Sequence, residues 1–489
     1  MPSQNACHSK NSICCLASFC VIVLTVFPIG SAAEPNVLLI LADDLAWSDL
    51  GCYGHPWHHT PYIDQLAREG VRLTQGYASA PICSASRASL LTGKSPARLH
   101  FEFVTKDRPG KQNLDVQTSL DAPEYTMDLD LGHRTLAEEL VERGYVAAMT
   151  GKWHVNSHYE HYLGWSPTHG PQQQGFQFTF ESFGSHPYGW GSKSPPALTQ
   201  PNIFPQDDMI DWACDFVEQK RSQPFFLFVS LYHVHTPVKT ECQWLTEQYE
   251  LKIPIASPKR DNRVRYAACV QQMDHYVGEL LKAVDEAGLA DNTLVVFTSD
   301  NGGHPEYAAN APWRGNKWNL YEGGIRVPWI LRQPGRLPSG MASSQVMLGY
   351  DLLPTVLEAI GGTASNQEID GTSIWQFLQP ESSLLSRDVY WHFPYYHPET
   401  GFGMALQEIG LNDFQVSRTR PCTAMRSADL KLHYFYEDNR LELYDLSQDP
   451  SEAHNLSSEK PEVADRMRRQ MFDYLTTVNA RLPQRHISE

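Results

Sequence analysis

One hydropathy pattern recurs along most of the chain: a short, continuously apolar run, then an amphipathic stretch that ends at glycine. "NVLLILADD" (36–44) is apolar until it stops at two acids, and "PYIDQLAREG" (61–70) follows with helical spacing and Gly70 as its stop. The pattern returns as "TLAEELVERG" before "YVAAMTGKWH" and as "MIDWACDFVEQKR" before "PFFLFVSLYHVHTP". A long helical stretch, "VRYAACVQQMDHYVGELLKAVDEAG", then precedes "NTLVVFTSDNGG". Strands apolar at every position have both faces covered, so the pattern predicts an α/β fold: a large, mostly parallel sheet between helices. From about residue 385 the texture changes. "DVYWHFPYY", "CTAMRSADLKLHYFY" and "LELYDLSQDP" have the pattern of antiparallel strands joined by turns, and "EVADRMRRQMFDYLTTV" that of a closing amphipathic helix. The expected division is a main domain over 34–375 and a smaller C-terminal α+β domain with an antiparallel sheet over 376–489.

The first 33 residues stand apart from this pattern. A lone Lys10, an apolar run from Ile13 to Gly30 and the small residues Ser31-Ala32-Ala33 have the form of a secretory signal peptide cut before Glu34. The apolar run is short for a membrane span, so the expectation is an exported protein without a stable membrane anchor. Its compartment would be periplasmic, extracellular or lysosome-like. The net charge of −17 argues against nucleic acid or an anionic membrane as the main partner. Of the 10 cysteines, Cys52, Cys83, Cys214, Cys242, Cys269 and Cys422 lie beyond the signal. Their wide spacing supports neither a zinc ribbon nor a dense disulfide scaffold.

Candidate chemistry gathers just past predicted strand ends: Asp43-Asp44, Lys152 with His154, His235, and Asp300-Asn301. In an open α/β sheet those ends share one edge, so groups distant in sequence can converge there. Two pairs of hard oxygen donors suit Ca²⁺, and less well Mg²⁺, rather than zinc. Cys83 opens "CSASRASLLTG", which has the form of a helix starting in hydroxyl residues, with Arg87 one turn on. A helix start favours negative charge there. The three residues between Cys83 and Arg87 exclude a cysteine-phosphatase loop, which needs five. Lys152 and His154 are expected on one side of an extended chain, with His233 as the same-face neighbour of His235. Lys317 lies in the Gly-rich "RGNKWNLYEGG".

Together these segments resemble the type I, formylglycine-dependent sulfatases of the alkaline-phosphatase-like superfamily. The resemblance runs from "NVLLILADDLAWSDLGCYG" through "CSASRASLLTG", "TGKWH", "HTP", "TSDNGG" and "RGNKWNLYEGGIRVP" to "LELYDLSQDPSEAHNLS". It implies that a maturation enzyme oxidises Cys83 to formylglycine. Asp43, Asp44, Asp300, Asn301 and the modified Cys83 would bind Ca²⁺. Arg87 would support the hydrated aldehyde, Lys152 and Lys317 would hold sulfate, and His154 and His235 would move protons. The sequence departs from the family pattern at Val234, at Asn316 and Trp318 flanking Lys317, and in the long stretch after "TGKWH". Those departures bear on the substrate subsite. His186, Tyr188, Trp190, His304, Trp313, His392 and Tyr396 are the candidates to face substrate, and aromatic groups around a polar pocket suit a sulfated saccharide. Two alternatives remain at this point: a phosphate or phosphonate ester hydrolase of the same superfamily, and a secreted carbohydrate-binding protein with an inactive site.

Overall fold

The strand Asn36–Ala42 is the axis of the molecule, and all seven of its residues are buried. Val37, Leu39 and Leu41 enter one hydrophobic cluster, with Ala88, Leu90 and Leu91 of the helix Cys83–Thr92. Leu38, Ile40 and Ala42 enter the opposite one, under the helices Asp208–Glu218 and Arg260–Glu286. Each such Leu or Ile contributes roughly 1.5–3 kcal/mol by leaving water. An ionisable side chain has no place within the strand, so the acids appear only where it ends.

In this computed structural model the described residues are 2, 4, 34–364, 368–397 and 400–486; the signal segment expected over 1–33 lies outside them, save for those two positions. Among the described residues no helix is long and apolar enough to cross a membrane.

Eight strands form the main sheet. Asn36–Ala42 pairs in parallel with Thr293–Ser299 on one side and Phe225–Ser230 on the other. Val146–Gly151 and Phe178–Phe180 continue the parallel series. Beyond Thr293–Ser299 the direction reverses at Trp329–Arg332, then Val71–Leu73 and Met341–Ser343 complete the edge. Register settles where the chemistry goes. Ala42 lies opposite Ser299, Leu41 opposite Ser230, and Ser230 opposite Gly151. Four parallel strands therefore end level, and the next residues emerge on one edge.

The C-terminal part is a four-stranded antiparallel sheet of Asp388–Phe393, Cys422–Ser427, Leu430–Phe435 and Arg440–Asp445. One face packs under the helix Pro461–Thr477 through Met425, Leu432 and Leu443 against Met467 and Met471. The other places Val389, Trp391, Phe393 and Ala424 in one cluster with Tyr77, Ile82 and Ala85. Residues 34–489 thus form one compact unit, with the C-terminal sheet behind the segment that leads into Cys83. The six cysteines among the described residues are all free.

Candidate active site

The level strand ends bring Asp43, Asp44, Asp300 and Asn301 together with at most 1 % exposure each. Asp44 adopts φ +65°, a left-handed conformation that turns the chain so that its N–H donates to Asp300 Oδ1 at 3.2 Å. Cys83 is the first residue of its helix, entered from the extended Ile82 and closed by Gly93 at φ +69°. All ten helix residues are buried, which accounts for the hydroxyl-rich composition. Small side chains fit on every side and bond locally: Ser86 Oγ donates to Ala80 O at 2.8 Å, and Thr92 Oγ1 to Ala88 O at 2.8 Å.

Cys83 Sγ lies 3.4 Å from Asp43 Oδ1 and 3.9 Å from Asp44 Oδ1. Arg87, one turn on, donates to Asp300 Oδ2 from Nε at 2.9 Å. Its Nη1 donates to Lys152 O at 2.7 Å and to Ser230 Oγ at 2.5 Å, so it joins three strand ends. Lys152 Nζ donates to Asp43 Oδ2 at 2.5 Å, and Lys317 Nζ to Asp44 Oδ2 at 2.7 Å. His235 Nε2 is 3.7 Å from Asp44 Oδ2.

These distances fix the electrostatics. Burial opposes the charge on Asp43, but the cations Lys152, Arg87 and Lys317 beside it outweigh it and hold its carboxyl well below the usual range. Burial, and then the charge of Asp43, push Asp300 up to about 7 against the pull of Arg87. Burial also drives the Cys83 thiol well above its ordinary range, although Lys152 and Lys317 draw it down. A thiolate nucleophile is what this environment disfavours. The donor set suits a hard cation. Asn301 Nδ2 donates to Asp44 Oδ1 and Gly302 O at 2.8 and 2.9 Å, whereas its buried Oδ1 has no hydrogen-bond partner. Three carboxylates and a free amide oxygen are donors of the kind that hard divalent cations take.

Lys152 and His154 reach the site by a bend, not by the extended chain expected. The strand stops at Gly151, with φ +89°, and His154 has φ +55°. Trp153 meanwhile packs edge-on to Phe176 in the core. A Cβ on Gly151 would lie 2.0 Å from Ser230 O. Gly151→Ala is therefore expected to cost at least about 1 kcal/mol and to lower activity by displacing Lys152. Urea denaturation and turnover of the same preparation check this together.

The substrate-facing candidates divide. Tyr188 lies beside His235, its hydroxyl donating to Thr236 O at 2.8 Å, and His304 stands edge-on to Trp318 at 5.2 Å. His186 instead supports the backbone: Nε2 bonds His235 O at 3.0 Å and Nδ1 accepts from Tyr188 N. Trp190 donates to Ser185 O, and Trp313 is packed between Arg326 and Trp47. His392 and Tyr396 belong to the C-terminal layer. His392 bonds Thr423 Oγ1 and Arg481 O, and Tyr396 donates to Glu437, which uses up their polar atoms. His233 turns away from His235 to pair with Asp207 at 2.9 Å. Residue spacing missed Ser230, the anchor of Arg87, and His397, whose ring stacks on Trp318 at 3.9 Å. The position of Trp318 beside Lys317 was the one signal for that pair. A second cluster, Asp49, His55 and His58, also brings metal-ligating side chains within 4.8 Å of one another, but Asp49 Oδ2 already accepts from Ala46 N and Tyr266 Oη. The His55 Nδ1 lone pair already accepts from the backbone of Trp57 and His58.

A family model described as Sulfatase matches residues 35–362, well over half of the chain. The chain belongs to the sulfatase family. A second model, the C-terminal part of N-sulphoglucosamine sulphohydrolase, matches residues 313–479 of this sulfatase. Human N-acetylgalactosamine-6-sulfatase is 29% identical over 90% of this chain and 85% of its own. Human arylsulfatase D is 30% identical over 79% of this chain and 75% of its own. Among solved structures, Ps i-CgsB in complex with k-i-k-neocarrahexaose superposes with a TM-score of 0.69 at 25% identity, covering 90% of this chain and 93% of that one. PsFucS1 sulfatase from Pseudoalteromonas sp. shares the fold, with a TM-score of 0.65 at 24% identity and 91% of each chain covered.

Proposed function

We propose that this sulfatase is exported and cleaves a sulfate ester of a saccharide, using Cys83 oxidised to formylglycine beside Ca²⁺. The observation that carries the reading is the convergence on one buried cysteine of Asp43, Asp44, Asp300 and the unpartnered Asn301 Oδ1, flanked by Lys152 and Lys317. Bound there, the ion and the hydrated aldehyde at residue 83 supply an activated hydroxyl for attack on sulfur. The saccharide is favoured by the names of relatives that act on N-acetylgalactosamine 6-sulfate or bind a carrageenan fragment.

The chain's own groups take the remaining roles. Lys152 and Lys317 hold the sulfate oxygens, moving from the carboxylates they meet in the free protein. Arg87 keeps Asp300 and the residue 83 side chain in place. His235 Nδ1 lies 2.7 Å from Thr236 O, and a carbonyl only accepts, so Nδ1 carries the hydrogen. Nε2 is then the nitrogen that faces the site; in the substrate complex it takes up the proton lost by the attacking hydroxyl and, as imidazolium, hands it to the leaving alcohol. Burial, with Lys152 and Lys317 adding to it against Asp43, holds His235 neutral; the bound sulfate offsets those two lysines. His154 is kept neutral by burial and by Lys152 and Arg87, and its Nδ1 has no partner, as suits a base for the sulfate-release step.

Mass spectrometry of the peptide containing Cys83, from protein made with a formylglycine-generating enzyme, tests the reading. Loss of the sulfur atom with gain of an aldehyde is expected; an intact thiol in an active preparation overturns the mechanism. Paired sulfate and phosphate esters of one alcohol test the alternative hydrolase, with sulfate expected to be turned over at least a hundredfold faster. Chelation with EGTA is expected to abolish that activity, and Ca²⁺ to restore it better than Mg²⁺.

A further inference from the structure

The stretch after "TGKWH" departs from the family pattern, and the chain folds it into a fixed loop beside the catalytic edge. Asn156, 2 % exposed, closes that loop: its Nδ2 donates to Ser157 O at 2.6 Å and to Gly164 O at 3.1 Å. Ser157 N and Oγ both donate to Asp128 Oδ1, at 2.8 and 3.1 Å. Tyr159 N donates to Gly164 O at 3.3 Å, and a Cβ on Gly164 would lie 2.0 Å from Tyr159 O. Leu163 is the buried apolar anchor. Leu163 and Glu160 take left-handed conformations, φ +64° and +59°, which side chains of this size rarely adopt. The turn they make leaves the Tyr162 ring outside, 51 % exposed.

That ring is the middle member of an arc. From His154 the ring centroids step 5.9 Å to His158, 4.9 Å to Tyr162, 5.3 Å to Tyr188 and 6.1 Å to His235. The two ends are the histidines assigned to proton transfer. A substrate whose ester lies between them therefore has its remaining units along the arc. There the surface holds an open cavity of about 530 Å³, lined by Asp107, His158, Glu160, His161 and Tyr162. Its size is that of a ligand pocket. The lining combines an exposed aromatic ring with two carboxylates and includes no Lys or Arg among the described residues. Burial holds the His158 imidazole below its ordinary range against the pull of Asp107, so it adds no positive charge. His161 is paired with Glu181 at 3.3 Å. Such a lining suits an uncharged sugar: the ring packs on its apolar C–H face, and the carboxylates accept from its hydroxyls. A sulfate or uronate placed there would meet like charge.

We infer that Tyr162, with Asp107 and Glu160, forms a subsite for an uncharged sugar joined to the sulfated one, so that this sulfatase prefers an oligosaccharide to an isolated sulfated sugar. The inference rests on the saccharide reading above. Tyr162 is then a specificity-determining residue, supplied by the stretch in which the chain departs from the family pattern. The bonds that close the loop hold its ring in place before substrate arrives.

The experiment measures kcat and KM of the matured enzyme on four substrates. They are 4-nitrophenyl sulfate, a monosulfated N-acetylhexosamine, a disaccharide joining that sugar to a neutral hexose, and the same disaccharide with the hexose oxidised to a uronic acid. Each disaccharide is made with the added unit on either side of the sulfated sugar, and the faster of the two is compared. Wild type is expected to favour the neutral disaccharide over the single sugar by about tenfold in kcat/KM, and over the uronic acid disaccharide as well. Tyr162→Ala is expected to bring the first ratio near one, chiefly through KM on the disaccharide, and Tyr162→Phe, which keeps the ring, to retain it. Asp107→Asn with Glu160→Gln is expected to close the gap between the two disaccharides. Equal kcat/KM on the single sugar and the neutral disaccharide overturns the inference and leaves the saccharide reading standing. So does a uronic acid disaccharide preferred to the neutral one, or a disaccharide preference that survives in Tyr162→Ala. An equal loss on all four substrates in Tyr162→Ala overturns it by showing that the ring only supports Tyr188 beside His235. Cleavage of 4-nitrophenyl sulfate with no saccharide cleaved at all overturns the saccharide reading, and this inference with it.

Discussion

Cys83→Ala is expected to lower kcat on sulfate esters by on the order of 10⁴-fold or more, the scale seen when a covalent nucleophile is removed. Folding should be little affected. Among the described residues the polar contacts of Cys83 Sγ are those of 3.4 and 3.9 Å to Asp43 and Asp44, and the helix behind it is anchored by the hydroxyls of Ser86 and Thr92. A stability change of about 1 kcal/mol or less is expected. Cys83→Ser separates two readings of the residue. A serine keeps a hydroxyl beside the carboxylates yet cannot become an aldehyde hydrate. If formylglycine is the working group, the serine variant forms a sulfate ester it cannot release, visible as an 80 Da mass gain after one turnover. Sustained turnover by Cys83→Ser would falsify the two-hydroxyl mechanism.

Lys431→Met is expected to destabilise the protein by about 3–5 kcal/mol, because it leaves two buried carboxylates without their shared cation. Lys431 Nζ lies 2.8 Å from Glu322 Oε1 and 3.0 Å from Glu452 Oε1, and all three side chains are fully buried. Glu452 Oε2 accepts from Glu322 N at 2.6 Å, and Glu452 O accepts from Arg314 Nη1 at 3.0 Å. The segment from Arg314 to Glu322, which carries Lys317, is therefore held at both ends by the C-terminal layer. Denaturation in urea measures the loss, and adding Glu322→Gln with Glu452→Gln to the variant should recover part of it. The same network sets an acid limit. Burial alone would raise Glu322, but Lys431, Arg326 and Arg426 pull it from 4.5 down to about 2. A carboxyl lowered in the folded state contributes stability that is complete above pH 4.5 and is lost as pH falls toward about 2. Wild type should lose stability across that window, and the triple variant should lose less of it.

Much of this architecture was legible in the chain. The continuously apolar runs at 36–42, 225–230 and 293–299 required helices on both faces, and those helices are present. The acids at 43, 44 and 300 were legible for the same reason: a buried parallel strand excludes charge until its last residue. What spacing did not yield was side-chain direction in irregular segments. Two left-handed turns, at Gly151 and His154, replace the extended path expected for "GKWH". In the C-terminal strands His392 and Tyr396 were expected at the site, whereas register with Cys422–Ser427 ties His392 to Thr423 and leaves His397 as the residue that reaches Trp318.

The sequence by itself determined the layers, the helix that begins at Cys83, and the hard oxygen donors that meet beside it. These depend on local pattern: apolar period, glycine stops, and hard donors placed immediately after strands. Tertiary structure alone decided which distant groups meet. Strand register brought Asp43, Ser230, Asp300 and Lys152 level around Arg87, and burial then drove the Cys83 thiol away from its reactive thiolate form. It also decided that the C-terminal sheet holds Lys317 in place and sets His397 against Trp318. Register, burial and long-range charge are properties of neighbours hundreds of residues apart, which no local stretch of chain encodes.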